Sequence, residues 1–175
     1  TSFAIVTART RKLLKRFAAT PMPRAAYLAS LIGSRLAFLV LEGVVLVAFA
    51  WLSFDVVVHG SLAALAVVSL LGALAFGGIA LLVASRAKTV EGVSGLLNLV
   101  MLPMWVFSGV FFASSNFPEA MQPFVQALPL TALNDALRGV MNDGETLAAL
   151  WRELAVLVAW GGVSFAAALK LFRWA

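Results

Sequence analysis

SLAALAVVSLLGALAFGGIALLV, residues 61–83, contains no charged side chain from end to end. A helix rising about 1.5 Å per residue needs roughly 20 apolar residues to cross a hydrocarbon layer about 30 Å thick. The run therefore reads as a membrane-spanning helix. Three further apolar runs, 36–54, 93–113 and 147–169, have similar length. Together the four predict an all-α, polytopic membrane bundle.

Composition agrees. Of 175 residues, 62% are hydrophobic and 12% charged, with a mean hydropathy of +0.99. A soluble domain has about 45–50% apolar and about 25% charged residues. The net charge of +5 would suit nucleic-acid binding if it formed a patch, but the basic residues bunch in the gaps between apolar runs. Arg9, Arg11, Lys12, Lys15, Arg16, Arg24 and Arg35 precede the first run, Arg86 and Lys88 follow the second, and Lys170 and Arg173 follow the last. The opposite side has only Arg138 and Arg152. Basic residues mark cytoplasmic loops, so both ends of this segment are expected in the cytoplasm, with the chain multi-pass in the cell inner (plasma) membrane. Nucleic acid is not an expected partner.

The chain has no cysteine and one histidine, His59. Disulfides, thiolate catalysis and cysteine-ligated metals are excluded, and there is no histidine cluster to build a metal site or a His-centred triad. The phosphate-cradling pattern G-x-x-x-x-G-K-[ST] does not occur. No catalytic, cofactor-binding or metal-ligating residue is expected, and a driving nucleotide would sit on another polypeptide.

Residues 7–35 lack any acid. At helical spacing Leu13, Leu14 and Phe17 share one side with Val6, while Arg9, Lys12 and Arg16 share another, which predicts an amphipathic helix along the cytoplasmic face. It stops at Thr20-Pro21-Met22-Pro23, where two prolines lack the amide hydrogens a helix needs.

Glu42 is the one acid well inside an apolar run. A carboxylate there costs about 2.5 kcal/mol or more, so it must face protein or water, or be protonated. It is either a substrate-path or proton-linked group, or a partner for Arg35 or a neighbouring subunit. Ser69, Ala73 and Gly77, with Gly72 and Gly78 beside them, form a small-residue stripe of the kind that lets membrane helices approach closely. Asn98, Pro103 and Ser108 lie in the third run, where proline bends the helix and the polar groups satisfy freed carbonyls or line an aqueous face. Residues 55–60 read as a tight outer turn. Residues 114–146 contain Pro118, Pro123 and Pro129, and the amphipathic stretches 120–128 and 132–141 predict two short helices at the outer interface or dipping into it.

Three segments in this order, RKLLKRFAATPMPR (11–24), SRAKTVEGVSGLLNLVMLPMWVFSGVFF (85–112) and FPEAMQPFVQALPLTALNDALRGVM (117–141), resemble the C-terminal part of an ABC-2 type transporter permease. The resemblance covers nearly the whole chain. It implies that a short helix after the second of six membrane helices contacts an ATPase subunit, and residues 9–20 fall in that place. Arg9, Lys12, Leu13, Leu14, Lys15, Arg16, Phe17, Thr20 and Pro21 would form the coupling surface. Residues 1–6 would end the second membrane helix, the first would be missing, and the four runs would be the third to sixth. Phe117, Pro118, Pro129, Thr131 and Arg138 would belong to outer re-entrant helices. One departure is that TARTRKLLKR (7–16) lacks the acidic RERE-like start common in the family.

The resemblance thus implies one ABC-2 transmembrane domain. Residues 1–35 would hold the end of the upstream helix and the coupling region, 36–113 three membrane helices, 114–146 the outer hairpin, and 147–175 the last helix and a cytoplasmic tail. It implies the permease subunit of an ATP-driven exporter of a drug, lipid or glycan, with Glu42, Asn98 and Ser108 as substrate-path candidates. Its partners would be an ABC ATPase subunit carrying ATP and Mg, a second permease copy in a homodimer or heterodimer, and membrane lipid. An intramembrane lipid-modifying enzyme would instead need Glu42, Asp135 or His59 to converge as acid and base, yet they are predicted at different depths. A non-ABC membrane scaffold or half of a secondary transporter is the other alternative; the latter would repeat broken helices in matching halves, and proline interrupts only one run.

Overall fold

A computed structural model describes residues 24–54, 59–86, 89–109 and 117–171, and every regular element among them is helical. The elements are α1 (Arg24–Phe54), α2 (Leu62–Arg86), α3 (Val90–Phe107), a 3₁₀ turn (Glu119–Met121), α4 (Gln122–Gln126), α5 (Pro129–Met141) and α6 (Trp151–Leu171). The predicted amphipathic helix and its elbow lie outside the described residues.

Among the described residues, two helices are long and apolar enough to cross a membrane, Leu62–Ser85 of α2 and Trp151–Leu171 of α6. The apolar parts of α1 and α3, Ala37–Phe49 and Glu91–Phe107, are shorter. The first apolar run is the second half of a longer helix that starts at Arg24, directly after Pro23. The third run, expected to reach residue 113, leaves the α-helix at Phe107. Ser108 caps it and Gly109 follows with φ +76°, the left-handed conformation that ends helices. At its start, Thr89 Oγ1 accepts from Gly92 N at 3.1 Å, a normal N-cap. The last run begins its helix at Trp151, because 147–150 form turns.

The bundle is organised around α2. Going along α2 from Ala64 to Gly78, its neighbours advance from Leu150 through Leu157 to Gly161 and Ser164. α2 and α6 therefore run parallel. α5 lies beside both in the reverse sense: Val140 and Ala136 pack with Ala64 and Val68, Ala132 with Ala75 and Leu157, and Leu128 with Ile79. α3 is antiparallel to α2, with Val93 against Val83 and Ala84, and Met104 against Ile79.

Small residues set the spacing, at two of the predicted positions, Gly72 and Gly78, and not at the other three. A Cβ on Gly72 would stand 2.6 Å from Leu133 Cδ1, and one on Gly78 would stand 3.1 Å from the Gly161 carbonyl oxygen. Gly77, by contrast, has nothing within 4 Å of its Cβ position, and Ser69 and Ala73 are only half-buried. The contact stripe is Gly72, Ala75 and Gly78. Because α2 is apolar on every side, no polar boundary in its sequence marks which side meets protein. In lipid the stabilisation comes from close van der Waals packing rather than from removing apolar area from water.

The faces left over are apolar as well. Phe38, Leu41, Val45, Leu46, Phe49 and Leu52 of α1 are exposed. A contiguous surface of this kind fits lipid or a partner, not water.

Candidate functional site

Residues 117–142 fold into a helical hairpin for a local reason. Pro118 precedes the 3₁₀ turn, and Pro123 and Pro129 open α4 and α5. Proline suits the first helical position because its missing N–H has no partner there anyway. Leu128, before Pro129, is extended at φ −75° and ψ 134°, as a residue preceding proline must be. The apex of the hairpin is therefore Ala127–Leu128.

That apex sits far down the bundle. The Trp160 indole N–H donates to the Ala127 carbonyl at 2.8 Å, about 14 Å along α6 from Trp151 at 1.5 Å per residue. Leu128 packs on Ile79, about 25 Å along α2 from Leu62. At the other end the His59 amide donates to Met141 O at 3.0 Å. Gly60 lies so close to the Val140 carbonyl that a Cβ would collide with it.

α5 has two unlike faces. Pro129, Ala132, Ala136, Gly139 and Val140 are buried. On the opposite side, by helical register, lie Thr131, Asn134, Arg138 and Asn142. Asn134 Nδ2 donates to Ser108 O at 3.2 Å and Arg138 Nη2 to Gly109 O at 2.9 Å. These carbonyls close the C-terminus of α3, where a helix lacks partners and favours positive charge. Phe107, in the last turn of α3, meets the rings of Phe117 and Phe124 at centroid distances of 5.5 and 6.2 Å. A cleft of about 310 Å³ opens beside Asn134, Leu137, Arg138, Met141 and Asn142.

Comparison with known proteins matches residues 1–142 to the family described as ABC-2 type transporter. The chain belongs to that family. Nodulation protein J of Bradyrhizobium diazoefficiens is 34% identical over 113 residues, covering 64% of this chain and 42% of that protein. The match thus spans less than half the length of that relative. No solved structure matches. The matched residues include the whole hairpin and end just before α6.

In this ABC-2 subunit the residues singled out from sequence fall into three groups. The residues that the resemblance assigns to coupling, Arg9, Lys12, Leu13, Leu14, Lys15, Arg16, Phe17, Thr20 and Pro21, lie outside the described residues. Glu42 on α1 and Asn98 on α3 are exposed, whereas Ser108 is fully buried, with its hydroxyl 3.4 Å from Trp105 O. The structure does not gather these three into one lining. The hairpin residues do come together: Phe117 meets the Phe107 ring at a tilt, Pro118 and Pro129 start helices, Arg138 holds Gly109, and Thr131 is buried without a hydrogen-bond partner for its hydroxyl among the described residues. Asn134 was not singled out, although its spacing from Arg138 by four residues on the polar side of α5 was a usable signal.

Glu42, Asp135 and His59 sit on α1, α5 and the turn before α2, as separate groups rather than an acid–base constellation. Among the described residues, no group of three His, Asp or Glu side chains is placed to hold a metal.

Burial pushes the Asp135 carboxyl above its ordinary range, with Arg138 opposing the rise and Glu153 adding to it. A carboxyl whose native pKa is raised destabilises the fold as it ionises. The penalty is absent below the unfolded value of 3.8, grows as pH rises towards the native pKa, and is constant above it. Asp135→Asn should therefore raise the apparent Tm in detergent at pH 7, and the gain should vanish as pH falls to the unfolded value. Melting curves of both proteins across that range check it.

Proposed function

We propose that this chain is the permease subunit of an exporter that uses ATP bound with Mg on a separate ATPase subunit. α1, α2, α6 and α3 with the residues following it make four crossings of the inner membrane, and both ends of the segment face the cytoplasm. α4 and α5 form a re-entrant hairpin entering from the outer side. The observation that carries this reading is the depth of the Ala127–Leu128 apex, between about 14 and 25 Å along two membrane helices. Non-helical backbone at such depth is tolerated only when protein covers it and satisfies its polar groups. Trp160 does so for Ala127.

Work enters through residues 9–20. Closure of the ATPase subunits on nucleotide pushes this helix, and the membrane helices reorient to open a path at the interface with a second permease copy. Glu42 and Asn98, exposed on α1 and α3, are the polar groups available to that path. The substrate is of the drug, lipid or glycan class. The test is co-expression with a cognate ATPase subunit: the two should co-purify, and a transported compound should stimulate hydrolysis several-fold. If the ATPase neither co-purifies nor changes its rate in the presence of the chain, the proposal fails.

A further inference from the structure

A membrane helix that stops inside a bundle exposes carbonyl groups where water is scarce, and they must find donors. The two at the end of α3 find theirs on another helix, at Asn134 and Arg138. α5 itself is held to α2 and α6 by apolar packing of Ala132, Ala136 and Val140, and by backbone acceptors at both of its ends. α2, α5 and α6 thus form one block. α3 joins this block through Val93 against Val83 and Ala84 at its start, and in its last turn first through apolar Met104 and Phe107 against Ile79 and Leu128, then through polar Ser108 and Gly109.

We infer that the end of α3 is a latched leaf: it pivots at Met104–Leu128, and the Asn134–Arg138 clasp on the Ser108 and Gly109 carbonyls holds the seam between α3 and α5 shut. The clasp has an opponent. Thr131 shares the polar face of α5 one turn before Asn134, and its hydroxyl is fully buried with no partner among the described residues. Leaving such a group dry is costly, and opening the seam hydrates it. A bond that favours the closed form and a buried hydroxyl that favours the open form are the elements of a two-state device.

The absence of cysteine from the chain makes the test direct. Ser108→Cys is placed at the seam, and Ser164→Cys serves as a control inside the block, where Ser164 packs against Gly78. Maleimide labelling rates are measured in the full-length protein in nanodiscs. Combining Asn134→Ala with Arg138→Ala should speed labelling of Ser108→Cys about tenfold or more, as expected for losing a charge-assisted hydrogen bond, and leave Ser164→Cys unchanged. Thr131→Val, which keeps shape and removes the hydroxyl, should slow labelling of Ser108→Cys. An unchanged rate at Ser108→Cys on removing the clasp, a parallel rise at both sites, or no slowing by Thr131→Val overturns the inference.

Discussion

Gly78→Leu is expected to destroy the contact between α2 and α6, while Gly77→Leu, one position away, leaves it intact. The Cβ of a residue at 78 would lie 3.1 Å from the Gly161 carbonyl oxygen and 3.2 Å from Ser164 Cβ, with the Phe165 amide nitrogen at 3.4 Å. Two of these three atoms are backbone, so the neighbour cannot yield by changing rotamer. Overpacking usually costs about 1–3 kcal/mol, and a clash with a helix backbone belongs at or above the upper end. The cost is spread along the bundle, because α5 depends on the groove between α2 and α6. At 77 nothing stands within 4 Å of the Cβ, and replacing glycine inside a helix gains up to about 1 kcal/mol of propensity. Thermal melts and size-exclusion profiles in detergent distinguish the pair. Equal loss from both substitutions would mean that the register of α2 against α6 is not the one described.

The largest effect on activity is expected from charging the apolar positions of the proposed coupling segment, residues 9–20. Changing Leu13, Leu14 and Phe17 together to Asp places carboxylates where the proposed contact with the ATPase is made. An unpaired charge buried in an interface costs about 3–5 kcal/mol, which converts to a loss of more than a hundredfold in affinity. Insertion should be unaffected, because these residues lie outside the apolar runs. The membrane fraction should therefore contain the variant at normal yield, with no ATPase bound and no substrate-stimulated hydrolysis. Recovery of the ATPase at wild-type level would remove residues 9–20 from the coupling role. Replacing Arg9, Lys12 or Arg16 singly by Ala is a weaker probe, since exposed ion pairs contribute about 0–1 kcal/mol each.

Much of the outer hairpin was legible in the chain. Pro118, Pro123 and Pro129 punctuate it, and the alternation of apolar and polar residues over 132–141 predicts α5 within a few positions of its observed bounds. Arg138 stands out as the one basic residue between Lys88 and Arg152. Its task does not, because the acceptor is a carbonyl of Gly109, far away in sequence, and backbone acceptors leave no residue-type signature. Asn134 escaped for the same reason. Hydropathy carries the third run to residue 113 because Val110, Phe111 and Phe112 continue it, whereas the α-helix ends at Phe107, since hydropathy does not register a left-handed glycine such as Gly109.

What the amino-acid order settled alone is the helical class, the apolar character of the long runs and the pattern of the ABC-2 family. Those outcomes are sums of local terms, since transfer of each side chain from water to hydrocarbon depends little on its neighbours. The folded arrangement alone decided which small residues touch, that Gly72, Ala75 and Gly78 meet protein while Gly77 does not, and that α5 closes the end of α3. Between helices that are apolar on every side, contact is chosen by shape and by the few polar groups that must find partners, and both are properties of pairs of segments distant in the chain.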